Sequence, residues 1–153
     1  MKLNVAICQV DMEWEETEHN LSRIEKVVAE AAADVVVLPE MFATGFKLRP
    51  SVVAETMDGP VVTAMRRWAR EYGKAVVGSV VILEDGIYRN RMLFVEPSGK
   101  MTQYDKHHLF RPGGEGRDYT PGKRRVVVEY KGFRFLMQVC YDLRFPVFSR
   151  NRG

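Results

Sequence analysis

Cysteine is scarce in this sequence: Cys8 and Cys140 are the two in 153 residues, each inside a separate apolar run. Such a pair cannot build the disulfide framework of a small secreted fold, and with no export signal they read as reduced thiols of a cytoplasmic protein. No HxH, HExxH or CxxC spacing occurs, so the usual ligand patterns are missing and neither metal nor cofactor is expected. The adjacent His107 and His108 would point opposite ways on an extended segment and could not share an ion. Gly113-Gly114 lacks the strand-turn-helix context of a phosphate cradle. No apolar run approaches the roughly 18 residues that cross a bilayer. At the N-terminus Asp11 and Glu13 follow the apolar stretch with no small-residue cleavage site, which reads as a strand rather than a signal peptide. Charge of one sign is lacking too, with 23 basic against 20 acidic residues. The clusters Arg89/Arg91 and Lys123-Arg124-Arg125 are short, without interleaved aromatics, and read as solvated strand edge or turn, so no nucleic acid partner is expected.

What is present suits a globular domain, with hydrophobic residues at 46% and charged ones at 28%. Residues 3–10 predict a first strand covered on both faces. Leu21, Ile24, Val28 and Ala31 recur at helical spacing opposite Arg23, Glu25, Lys26 and Glu30. Residues 35–38 form a short apolar run before Pro39-Glu40. Gly59-Pro60 opens a second helix whose inner face is Val61, Met65, Trp68 and Tyr72. The period then changes. Residues 75–83, 86–95, 101–104, 125–130 and 133–139 predict strands separated by turn-forming groups. Residues 106–122 make a loop too long for a mere connector. Residues 144–152 begin a further helix or loop. Helix-strand alternation followed by strands predicts an α/β layered fold.

Glu40, Lys106 and Cys140 each close an apolar strand, where a sheet offers side chains to a cleft. A carboxylate, an ammonium and a thiol make a workable acyl-transfer set. An ordinary thiol, with a pKa of about 8.5, is mostly protonated at neutral pH, so a base or cation is needed to supply thiolate. Glu40 could take that proton and return it to a leaving amine. Lys106, with backbone N–H groups after Cys140, could stabilise a tetrahedral oxyanion. Taken singly, each has a plainer reading. A strand-end cysteine is ordinarily a core residue, Glu40 could face solvent in a turn, and Lys106 could be a solvated edge residue. Spacing alone does not choose.

The flanking residues do. LPEMF, YDKHHLF and CYDLRFP, in this order, resemble the three signature blocks of the nitrilase superfamily of carbon–nitrogen hydrolases. The likeness extends from AICQVD through GSVVILEDG and YRNR to CYDLRFPVFSRN. KHHLFRPGGEGRDYTPG with CYDLRFPVFSRN is most similar to the ω-amidase-like branch. The resemblance implies an α-β-β-α sandwich with Glu40 as general base, Lys106 as transition-state lysine and Cys140 as nucleophile. It implies Glu115 as the second glutamate, positioning Lys106 or substrate; a surface charge on the loop is the plain alternative. Phe46 and Phe42 either wall the pocket or pack. Tyr141 follows the nucleophile, and Arg144 either pairs with a substrate carboxylate or holds the loops together. The implied reaction is hydrolysis of the terminal amide of small dicarboxylic monoamides, such as 2-oxoglutaramate or succinamate, through a thioester.

Members of that superfamily are longer, so residues 1–153 would be the N-terminal portion of a single hydrolase domain, the sandwich incomplete at its C-terminus. A sheet built to be covered on both faces would then expose apolar surface. A separate polypeptide carrying the other half, a truncated gene product, or a loss the sequence cannot show would each account for the length. The expected partners are a small amide and further copies of the chain, as a dimer or larger. Competing readings are a nitrilase, carbamoylase or aliphatic amidase, and an inactive fragment that acts only by binding.

Overall fold

The structure, a computed structural model, describes residues 1–46 and 49–151. Three strands are laid down in parallel through helical connections: β1 (Val5–Ile7), α1 (Thr17–Glu30), β2 (Val35–Val37), α2 (Pro60–Tyr72) and β3 (Ala75–Glu84). β4 (Ile87–Val95) and β5 (Met101–Asp105) then add as antiparallel neighbours, giving the order β1-β2-β3-β4-β5. A hairpin of β6 (Val127–Tyr130) and β7 (Phe133–Leu136) forms a second sheet, and α3 (Pro146–Ser149) follows one turn after it.

β3 sits mid-sheet, and its near-unbroken apolar run is what a strand covered on both faces requires. Val76, Val80 and Ile82 pack in the cluster that holds Ile24 and Val28 of α1 and Val61, Met65 and Trp68 of α2. Ala75 and Val77 belong instead to the cluster of Val128, Tyr130, Met137 and Val139 around the hairpin. The described layers are therefore helices, sheet and hairpin, an α/β architecture as expected. α2 starts on Pro60, whose missing N–H costs nothing in a first turn. The carboxylate of Glu55 accepts from the next two amides, Val61 N and Val62 N, each at 2.9 Å. Gly73, at φ 63°, closes the helix in the left-handed region that glycine enters freely.

Two expectations change. The first strand is only three residues long and lies at the sheet edge, with Ile7 83% and Val5 44% exposed, so it is not covered on both faces. Apolarity marked it as buried, but burial depends on what packs alongside. Arg91 is not solvated: it is buried between Asp105 (Nε to Oδ1, 2.6 Å) and Glu84 (2.8 Å). The segment 140–151 forms a short 3-10 turn and then α3; the last of the nine residues from 144 to 152 lies outside the described residues.

Candidate active site

Glu40 lies three residues past β2, in a turn that reverses at Met41. Met41 takes φ 49°, a conformation costing an L-residue about 1–2 kcal/mol. The turn is held by Ser79 of β3, whose Oγ accepts from Met41 N at 2.9 Å, and by Thr44 N and Gly45 N donating to Met41 O. Phe42, on the far side of this turn, packs against Trp68 at 6.3 Å between ring centres, so packing is its role. Phe46 stays by the site, with Lys106 Nζ 5.6 Å from its ring centre.

Lys106 follows β5 directly and is buried, as is Glu115. The long loop brings Glu115 back by two 3-10 turns, Arg111–Gly113 and Glu115–Arg117, joined through Gly114 at φ 87°. Lys106 Nζ donates to Glu40 Oε1 at 2.7 Å and to Glu115 Oε2 at 2.9 Å. Glu115 Oε2 also accepts from Phe110 N at 2.6 Å, tying the carboxylate to the loop. Burial disfavours the ammonium, but the two carboxylates outweigh it and hold the Lys106 pKa above its ordinary value. The site therefore favours the cationic form of the lysine.

Cys140 comes four residues after β7 rather than at its end, and opens the turn Cys140–Arg144 at φ 43°. Asp142, fully buried, holds that turn. Its Oδ2 accepts from Val139 N at 3.0 Å and Tyr104 Oη at 2.6 Å. Its Oδ1 accepts from His108 N and faces His108 Nδ1, both at 2.8 Å. The nucleophile candidate is thus fastened to the segment that carries Lys106. Cys140 is exposed as a residue, yet with Glu40, Ser79, Gln138 and Val139 it lines a cavity of about 130 Å³. Burial raises the thiol pKa, and the charge and hydrogen bond of Glu40 raise it further against the opposing pull of Lys106. Glu40 thus stands beside the Cys140 thiol, where a base able to take its proton is needed.

Glu40, Lys106 and Glu115 are therefore joined directly, with Cys140 against Glu40. Tyr141 and Arg144 do not line that cavity. Tyr141 packs edge-on against Phe110 and Phe145, and Arg144 is exposed. His107 and His108 do not diverge: their rings lie 4.5 Å apart, stacked on Phe148 and Phe145 respectively. Among the described residues no group of three or more His, Cys, Asp or Glu side chains could hold a metal ion. No helix among them is long and apolar enough to cross a membrane. Sequence reasoning passed over Asn90 and Asp142. Asn90 Nδ2 donates to Glu40 Oε1 at 2.7 Å and Glu115 Oε1 at 3.0 Å. Its signal was the register of β4 on β5, which sets Asn90 opposite Lys106.

Residues 4–152 match the carbon–nitrogen hydrolase family. The chain belongs to that family. It is 40% identical to the ω-amidase YafV of Yersinia enterocolitica over 98% of its own length and 59% of that protein's. It is 28% identical to the 2-oxoglutaramate amidase of Bacillus subtilis, over 98% and 60% respectively. Among solved structures, XC1258 of Xanthomonas campestris, a carbon–nitrogen hydrolase superfamily protein with an arsenic adduct in its active site, superimposes with a TM-score of 0.92. The two are 40% identical, over 98% of this chain and 57% of that one. A cysteine-to-serine mutant of the Nesterenkonia amidase, from the nitrilase superfamily, gives 0.85 at 26% identity over 95% and 59%. The chain thus spans less than two thirds of the length of each of these relatives.

Proposed function

We propose that this protein is a thiol amidase that hydrolyses the terminal amide of small dicarboxylic monoamides, with Cys140 as nucleophile. The observation that carries the reading is the buried bridge from Glu40 through Lys106 to Glu115, beside the cavity that Cys140 lines. Cys140 Sγ attacks the amide carbon as Glu40 takes the thiol proton. Lys106 and the backbone N–H groups of the turn stabilise the oxyanion, a charge that exists only on the way to product. The intermediate collapses to a thioester, Glu40 passes its proton to the departing ammonia, and a water deprotonated by Glu40 then releases the acid. Glu115 holds Lys106 in place. Phe46, beside Lys106, is the side chain we assign to substrate binding, and Tyr141 and Arg144, off the cavity, take no such role in this reading.

Monoamides such as succinamate and 2-oxoglutaramate are supported by the likeness to proteins named for ω-amidase and 2-oxoglutaramate amidase activity. We read residues 1–153 as one portion of a single hydrolase domain, because the relatives extend well beyond the matched region. We read the protein as a homo-oligomer, with exposed apolar side chains such as Ile7 and Leu143 offered to a second copy. A nucleophile that works only as a free thiol suits a reducing compartment such as the cytoplasm. The test is ammonia release: the folded protein liberates it from succinamate or 2-oxoglutaramate and Cys140→Ser does not. No release from either amide by a folded wild-type sample refutes the reading.

A further inference from the structure

The two glutamates share a second bridge besides the lysine. Lys106 Nζ lies between Glu40 Oε1 and Glu115 Oε2, and Asn90 Nδ2 lies between Glu40 Oε1 and Glu115 Oε1. Asn90 and Lys106 are neighbours across β4 and β5: Arg91 pairs with Asp105, and Lys106 N donates to Asn90 O at 2.9 Å in the next position. Asn90 is as deeply buried as Lys106, each 1% exposed. Its Nδ2 meets two carboxylate oxygens while its buried Oδ1 has no hydrogen-bond partner among the described residues. Turning the amide over would set an acceptor against two acceptors, so the carboxylates dictate which way it points. The orphaned oxygen is the cost of aiming the NH₂ group there.

We propose that Asn90 is a positioning residue for the reaction: its amide NH₂ locks the base Glu40 to Glu115, so that one oxygen of Glu40 stays turned to Cys140. The inference rests on the amidase reading given above. Glu40 Oε1 is occupied twice, by Lys106 and by Asn90, which leaves Oε2 for the thiol. The donor's neutrality matters. Two carboxylates and one ammonium leave the cluster with a net negative charge, which a general base needs. A second cation at position 90 would supply the same hydrogen bonds but weaken Glu40 as a base. An amide fixes geometry without neutralising it.

The test compares Asn90→Leu and Asn90→Val, both neutral and neither able to donate, with Asn90→Gln, which keeps the NH₂ on a longer arm. In folded samples kcat on succinamate falls about 10²-fold in the first two, as expected when a general base is misplaced. KM changes less than about threefold because Asn90 does not line the cavity, and Asn90→Gln recovers part of kcat. A second readout needs no amide substrate: the pH profile of Cys140 alkylation by iodoacetamide. The charged groups acting on that thiol are Glu40, Lys106 and Glu115. With Glu40 loosened, the profile of either non-donating variant moves to lower pH, toward that of Glu40→Gln. A wild-type profile in both variants overturns the proposal even if no amide is turned over. So does wild-type kcat in a folded Asn90→Leu. A variant that does not fold is replaced by the other, which decides the question alone.

Discussion

Replacing Asp142 by alanine removes four contacts at once and leaves their donors behind. Tyr104 Oη and Val139 N are buried, at 1% and 4% exposure, and lose their acceptor at 2.6 and 3.0 Å. His108 N and Nδ1, half-buried, lose theirs at 2.8 Å. An orphaned buried donor costs about 1–3 kcal/mol, and the half-buried pair recovers part of its loss from water, so the total is about 4 kcal/mol. Against a domain stability of about 5–15 kcal/mol that is a large fraction. In urea, with a slope of about 2 kcal/mol/M, the midpoint falls by about 2 M at unchanged slope. Asp142→Asn keeps one acceptor and loses about half as much. Tyr104→Phe removes a donor together with its bond but also leaves the half-buried His107 N without the hydroxyl it donates to at 3.1 Å, and costs about 1–2 kcal/mol. Combined with Asp142→Ala it should recover stability, because no hydroxyl is then left unpaired. If Asp142→Ala loses less than about 1 kcal/mol, or if the two substitutions simply add, Asp142 does not hold the nucleophile turn in the way described.

The Cys140 thiol tests the electrostatics of the same turn. Its pKa is raised first by burial and then by Glu40, so in the wild type alkylation sets in above the ordinary thiol range. Glu40→Gln removes the second cause and leaves the first, with Lys106 still favouring thiolate. The alkylation profile, read by mass spectrometry of the Cys140 peptide, should move part-way down in pH while amide hydrolysis is lost. An unchanged or upward-moving profile contradicts the assignment. Lys74 offers a test away from the site. Its Nζ donates to the terminal carbonyls of α1, Val28 O and Ala29 O at 2.8 Å and Ala31 O at 2.6 Å. Lys74→Met should cost about 1–2 kcal/mol, lowering the melting temperature by about 3–6 °C. A melt within about 1 °C of wild type shows that the cap contributes nothing.

Much of the helical layer was legible because periodicity reports burial directly when one face of a helix is covered. Ile24, Val28, Val61, Met65 and Trp68 all entered the core. β3 was legible for the matching reason, that an unbroken apolar run needs cover on both sides. β1 was not, because an apolar side chain at a sheet edge looks the same in sequence as one at its centre. Phe42 and Phe46 both follow Glu40, two and six residues on. Only the reversal at Met41 decides that one joins Trp68 and the other lies by Lys106. Motif reading found the groups that bear chemistry and missed those that hold them, since Asn90 and Asp142 declare themselves only through partners tens of residues away.

The strand pair that carries the site shows why such residues are hard to see. In β4, Asn90 and Arg91 are consecutive and point to opposite faces, as pleating requires. Each meets the residue across from it on the β5 side. Asn90 sits beside Lys106 and bridges two carboxylates; Arg91 sits beside Asp105 and is neutralised by it and by Glu84. The same two-residue stretch therefore serves a reactive cluster with net negative charge on one face and a closed ion pair on the other. A one-residue slip of register would exchange them, placing an arginine between Glu40 and Glu115 and an amide beside Asp105. The base would then be neutralised and the opposite face left with unpaired carboxylates. Register, fixed by the pairs from Arg91–Asp105 to Val95–Met101, is thus a determinant of the site's electrostatics as well as of its packing.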